Sequence, residues 1–291
     1  MILERRSVGR KTLKYGRIHI GTMEWRKKME GKTRNKGMTS ESNIEKATAV
    51  KAAKKKTTAA KATKKKTTAA TTKKTPKNKS LTRQKSLALA IIERLKQEYP
   101  DSDCTLDYNE AWKLLVSVRL AAQCTDARVN VVVQGLYRKF PDVAALAAAP
   151  VGEIEEIVRP CGLGHSKARD ISACMKVLLE KYGGNVPGDF NALLALPGVG
   201  RKSANLIMGD VFKKPAIVTD THCIRLVNRM GLVDGIKEPK KVEMELWKII
   251  PPEEGNDFCH RLVDHGRAVC TARTNPYCDK CCLSDICAKR I

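Results

Sequence analysis

From Ser86 onward, apolar residues recur at three- and four-residue spacing, and Gly or Pro closes almost every run. This is the period of helices that each bury one stripe. No persuasive stretch of period-two alternation competes with it, so the predicted fold class is all-α. Leu87, Ala90, Ile91 and Ile92 open a helix that should stop near Pro100. Spacing and punctuation predict further helices at 108–122, 126–139, 142–148, 151–158, 166–182, 189–195, 201–212, 221–230, 238–249 and 255–269. Aromatics at 4% agree with helices built on Ala, Leu, Val and Ile rather than with a sandwich or barrel. No run approaches the roughly 20 apolar residues of a membrane-spanning helix, so no membrane partner is expected.

The 291 residues carry 55 Lys+Arg against 31 Asp+Glu, a net charge of +24. Charge this far from zero points to a polyanion, with nucleic acid first. It is not evenly spread. Residues 1–85 hold 27 Lys+Arg and 5 acids, a net of +22, while residues 86–291 hold 28 and 26, a net of +2. The excess therefore belongs to an N-terminal tail, and global charge says little about the folded part. Residues 51–60, KAAKKKTTAA, are nearly repeated by 61–70, KATKKKTTAA. With no apolar face to offset the entropy of ordering, residues 1–85 are expected to be disordered. The clustered Lys suit a histone-tail-like arm on phosphate backbone; a solubilising extension or linker is the plainer alternative. Residues 1–30 are Arg-rich and acid-poor, faintly like an organelle transit peptide, or else they follow a start codon placed too far upstream.

Residues 195–205, ALPGVGRKSAN, end one helix before Pro197 and open another after Gly200. Gly198 and Gly200 have no Cβ, so the backbone here can approach something closely. Amides at the start of the following helix favour an anion. Helix, Gly-rich turn, helix is a phosphate-binding device suited to a DNA backbone and indifferent to sequence. Its contact residues would be Gly198, Val199, Gly200 and Arg201. A tight interhelical turn without a ligand is the alternative.

In the next helix Ala204, Ile207, Met208 and Val211 define the buried stripe. Lys202 falls on the other side, about 160° from Ala204 at roughly 100° per residue. The positive end of the helix dipole disfavours an ammonium in the first turn, and partial desolvation would add to this. Both favour the neutral amine that a nucleophile requires; a Lys that merely contacts phosphate is the alternative. Eighteen residues later, Asp220 precedes a helix whose stripe is Cys223, Leu226, Val227 and Met230. By itself Asp220 is an N-cap. An N-cap carboxylate that faces a groove can also act as a base or stabilise developing cationic charge.

Five of the 11 Cys lie in the last 22 residues. Cys104, Cys124, Cys161, Cys174, Cys223 and Cys259 are scattered beside apolar faces, where a small buried hydrophobe is the default. Cys270, Cys278, Cys281, Cys282 and Cys287 cluster in a chain with no secretory signal, so metal ligands are favoured over disulfides. Spacing alone leaves zinc and iron–sulfur both open.

LPGVGRKSAN followed by VTDTHCIRLVNR resembles the helix-hairpin-helix DNA glycosylases, specifically the endonuclease III branch, which has LPGVGRKTAN followed by VDTH. The likeness runs from about residue 86 to residue 287. It takes in LAAQCTDARVN (120–130), CGLGHSKARDI (161–171) and HGRAVC (265–270). It implies a bifunctional DNA glycosylase and apurinic/apyrimidinic lyase that acts, as a monomer, on oxidised pyrimidines or abasic sites in duplex DNA. A bacterial source would place it in the cytoplasm, at the nucleoid. Lys202 matches the family's Schiff-base nucleophile and Asp220 its catalytic carboxylate. Gln123 and Leu163 match positions that wedge into the gap left by a flipped nucleotide; without the resemblance they read as a surface Gln and a core Leu. Asp126 matches a residue of the base-recognition region, or is a helix N-cap.

The resemblance also implies a 4Fe–4S cluster held by C-x6-C-x2-C-x5-C. Here Cys278-x2-Cys281-x5-Cys287 fits, but Cys270 to Cys278 encloses seven residues rather than six. Cys282 could replace Cys281 or stay unligated. Arg267, Arg273 and Lys280 are available beside that loop to meet DNA. Two helical lobes are expected. A six-helix barrel over 104–214 would carry the hairpin, and 86–103 with 215–291 would carry the cluster, with the active site in the groove between. Two rivals are a monofunctional adenine or mismatch glycosylase, whose branches lack this Lys, and a non-catalytic DNA-compaction protein.

Overall fold

The structure, a computed structural model, describes residues 76–273 and 275–291, with side chains from Leu81 onward. The repeat and the basic tail up to residue 75 lie outside the described residues. All regular structure among the described residues is helical. None of the described helices is long and apolar enough to cross a membrane. In chain order they are α1 (Pro76–Glu98), α2 (Ala111–Leu120), α3 (Asp126–Lys139), α4 (Val143–Ala148), α5 (Val151–Val158), α6 (Gly164–Tyr182), α7 (Phe190–Leu194), α8 (Arg201–Asp210), α9 (Thr221–Met230), α10 (Pro239–Leu246) and α11 (Gly255–Ala268). A 3-10 turn, Arg159–Cys161, joins α5 to α6.

The ends follow local chemistry. Asp142 and Asp189 cap α4 and α7 by accepting from the Ala145 and Ala192 amides at 2.7 and 2.8 Å. The boundary expected at residue 86 is corrected, because α1 begins ten residues earlier at Pro76. A Pro is well suited to the first helical position. Leu81 extends the buried stripe one turn upstream, and Gln84 donates from Nε2 to the Leu232 carbonyl at 3.4 Å.

The helices enclose two hydrophobic cores. The first runs from Leu106 to Ala216 and gathers α2 to α8, with Leu114, Leu136, Leu146 and Ile154 fully buried. The second is built by α1 and α9 to α11, around Ile91, Leu95, Leu226, Phe258 and Leu262. Each such side chain contributes roughly 1.5–3 kcal/mol. Between α8 and α9 the chain passes from one core to the other, with Ala216 in the first and Ile217 in the second. Leu206 of α8 packs against both. At this junction Gly209 is required, since any Cβ there would overlap Asn256 of α11.

Candidate active site

A groove runs between the two cores. Lys202 from α8, Asp220 before α9, Asp126 from α3 and Arg267 from α11 all line it, together with His222 and His260. Ala204, Ile207 and Met208 face inward on α8, as their spacing predicts, and Val211 is half-buried. Lys202 is exposed and makes no ion pair or hydrogen bond with any described residue. The partial desolvation expected for it is therefore not supplied by the protein alone.

Asp220 is an N-cap that also faces the groove. Its Oδ1 accepts from the Cys223 amide at 2.7 Å, so only one oxygen is committed to the cap. The stripe that follows, Cys223, Leu226, Val227 and Met230, is buried throughout. His222 is oriented by Arg225, which donates to Nδ1 at 3.2 Å. That nitrogen must accept, so Nε2 carries the proton of the neutral ring. Burial pulls this imidazole below its ordinary pKa. Asp126 is not the cap of α3, which is Thr125. It accepts from Thr105 Oγ1 at 2.6 Å and from Arg267 Nη2 at 2.8 Å. Arg267 is thus an ion-pair partner across the groove, while Arg273 and Lys280 are exposed.

The hairpin is α7, the turn and α8. Its two outer glycines do different things. Gly198 has φ +73°, and a Cβ there would lie 2.9 Å from the Asp170 Cβ and 3.2 Å from the Arg119 Cδ. The close approach inferred for Gly198 is made to the chain itself, above the Arg119–Asp170 ion pair at 2.7 Å. Gly200 meets nothing within 4 Å and is the uncapped N-cap of α8. The amides of that first turn are left open toward solvent, with no acid in the turn, and Val199 is half-buried against the first core. Arg201 is engaged within the chain. Its guanidinium is bound to buried Glu243 of α10 and stacks 5.0 Å from the Phe190 ring. It braces the hairpin against the second core through Nε and Nη2.

Gln123 and Leu163 share an unusual backbone. Both lie in the left-handed region, at φ 56° and 50°. Leu163 is 56% exposed, so it is not a core Leu.

Four of the five clustered cysteines, Cys270, Cys278, Cys281 and Cys287, line one cavity beside Arg229 and His265. Cys282 does not line it; its carbonyl accepts from Arg94 at 3.0 Å. Of the two adjacent thiols it is therefore Cys281 that faces the cavity. The chain between Cys270 and Cys278 closes with the Tyr277 amide donating to the Val269 carbonyl at 3.1 Å.

Two features were missed from sequence. Asp210, 3% exposed, accepts from Asn256 Nδ2 at 2.7 Å and is joined to His260 Nε2 at 2.8 Å, tying α8 to α11. Lys167 is fully buried on α6. The second was legible, since residue 167 falls at helical spacing with the buried Ile171, Cys174 and Leu178.

Residues 116–252 match the HhH-GPD superfamily of base excision DNA repair proteins. That is the class this hairpin and groove define. More narrowly, the chain is 40% identical over 210 residues to endonuclease III of Synechocystis sp., covering 72% of this chain and 95% of that protein. A solved non-covalent endonuclease III–DNA complex is 38% identical with a TM-score of 0.67, covering 70% of this chain and 95% of that one. A trapped endonuclease III–DNA covalent intermediate matches with the same identity and TM-score, covering 96% of that chain. The chain belongs to the endonuclease III family, and is a bifunctional DNA glycosylase and lyase of base excision repair.

Proposed function

We propose that the chain removes oxidised pyrimidines from duplex DNA, with Lys202 as nucleophile and Asp220 as its carboxylate partner. The observation that carries this is an exposed, unpaired Lys202 sharing one groove with a carboxylate that has a single oxygen tied to its helix. Departure of a base from C1′ gives an oxocarbenium-like centre, which the Asp220 carboxylate stabilises while taking the proton that the neutral Lys202 amine sheds as it bonds to carbon. Lys202 Nζ bonds to C1′ as the C1′–N bond breaks, and the base leaves with that electron pair. Sugar-ring opening gives an imine, which acidifies the 2′ hydrogen. Loss of that proton expels the 3′ oxygen by β-elimination, and water then frees Lys202.

Gln123 and Leu163 fill the gap left by the flipped nucleotide. Their exposure and left-handed backbone support this role, because such a conformation is uncommon for non-glycine residues and persists only where the surroundings impose it. Gly198, Val199 and Gly200 place the open amides of α8 on a phosphate. The enzyme acts as a monomer. The Lys-rich tail tethers it near DNA at the nucleoid without choosing where it cuts.

Cys270, Cys278, Cys281 and Cys287 fit a 4Fe–4S cluster. Four thiols face one cavity, and the Leu283 and Lys289 amides donate to Cys281 and Cys287 Sγ, both at 3.4 Å. Arg229 adds a contact to Cys270 Sγ at 3.5 Å. Donors of this kind tune cluster sulfurs. When bound, the cluster supplies a rigid crosslink for the loop that carries Arg273 and Lys280.

Incubation with a thymine-glycol duplex and borohydride tests the reaction. A covalent adduct that disappears in Lys202→Ala is expected, and no adduct from active, cluster-loaded protein would refute it. Deleting residues 1–75 should weaken binding and flatten its salt dependence with the chemistry retained; unchanged salt dependence would refute the tether.

A further inference from the structure

Lys167 is among the largest fully buried side chains. A buried ammonium is costly unless its hydrogens are taken up. Here Nζ donates to the Leu120 carbonyl and to the Cys161 carbonyl, each at 2.8 Å. Neither acceptor is incidental. Leu120 is the last residue of α2, and Cys161 is the last residue of the 3-10 turn before α6. Carbonyls at such ends lack helical partners and attract cations. Three residues past the first lies Gln123, and two residues past the second lies Leu163. Both are left-handed and exposed.

We propose that Lys167 is a positioning residue for base flipping: one buried amine fixes the spacing of the two loops that insert Gln123 and Leu163 into the duplex. This rests on the wedge role proposed above for those two residues. Two hydrogen bonds from one nitrogen hold the carbonyls within twice the bond length of each other, although α2 and α6 are separated by three helices in sequence. An apolar side chain could fill the same volume but would leave both ends unpaired and free to separate. Left-handed residues persist where surrounding structure holds them, and Lys167 holds both chains just upstream.

The test uses the full, cluster-loaded chain and Lys167→Met, which keeps length and removes both donors. Affinity is measured for a duplex holding a tetrahydrofuran abasic analogue and for the intact duplex, with 2-aminopurine opposite the analogue to report insertion. Both are normalised to active molecules counted by borohydride trapping. The expected result is a loss of tenfold or more in the analogue-to-intact affinity ratio, with a matching fall in the 2-aminopurine response. A purely structural Lys would lower the active fraction and leave that ratio alone. An unchanged ratio, alongside a tenfold loss in Leu163→Ala, overturns the clamp. An unchanged ratio in both Leu163→Ala and Gln123→Ala overturns the wedge reading itself. If Lys167→Met does not fold, hydrogen exchange of the unmodified chain decides. The Cys124 and Gly162 amides should exchange with one common protection factor, and a difference above tenfold overturns the clamp.

Discussion

Arg201 and Glu243 form a two-point ion pair, with Nε 2.5 Å from Oε2 and Nη2 2.7 Å from Oε1. Glu243 is 1% exposed and also accepts from the Trp247 indole at 3.3 Å. Removing one partner of such a pair leaves a buried charge. Arg201→Ala should therefore cost on the order of 3 kcal/mol, read as a lowered thermal midpoint. Adding Glu243→Met should restore much of it. Weakened DNA binding with an unchanged midpoint would instead return Arg201 to phosphate contact.

The two hairpin glycines should separate cleanly. Gly198→Ala forces a side chain to φ +73° and against Asp170, at a cost of about 1–3 kcal/mol. Abasic-duplex affinity should fall with it. Gly200→Ala has ordinary φ and open space, and loses only an N-cap preference of about 1 kcal/mol or less. Equal effects in a paired titration would contradict the different roles of the two glycines.

The pair of Asp210 and His260 makes stability depend on pH. Burial opposes charge on His260, but the hydrogen bond and charge of Asp210 outweigh it and raise the imidazole pKa. Burial likewise opposes charge on Asp210, and His260 and Asn256 outweigh it and lower the carboxyl pKa. The His260 contribution is full below about 6.5 and is lost as pH rises through the folded value. The Asp210 contribution is present above its ordinary carboxylate value and is lost as pH falls through the lowered one. Calorimetry from pH 5.5 to 8.5 should show His260→Gln losing most relative to the parent at the acid end, at no more than about 1.4 kcal/mol per pH unit. A pH-independent difference would mean that the pair leaves His260 titrating as it does in the unfolded chain.

Cluster assembly should distinguish two adjacent thiols. Iron bound per chain should be retained in Cys282→Ser and fall sharply in Cys281→Ser. The reverse result would place Cys282 in the cavity.

The helical fold and the groove were largely legible. Periodicity located α8 and α9 with their buried faces, and the register put Lys202 opposite Ala204. Asp220 carried two readings, and the structure gives it both geometries, a cap and a place in the groove. The Arg201–Glu243 pair was not legible because Glu243 lies 42 residues away and no local pattern links them. Leu163 as a core residue failed for a related reason. Hydropathy favours burial, whereas its left-handed turn points it outward. The start of α1 was missed because a Lys-rich composition masked the continuation of its stripe at Leu81.

Gly209 leaves α8 against Asn256 with no side chain between, so at this junction the two cores are keyed together rather than hinged. A groove so braced would change little in width around a substrate. The shape change then falls on the duplex, and sequences or lesions that soften it are the ones most easily bent into place. Mechanical compliance of the DNA would then act as a criterion of recognition in its own right.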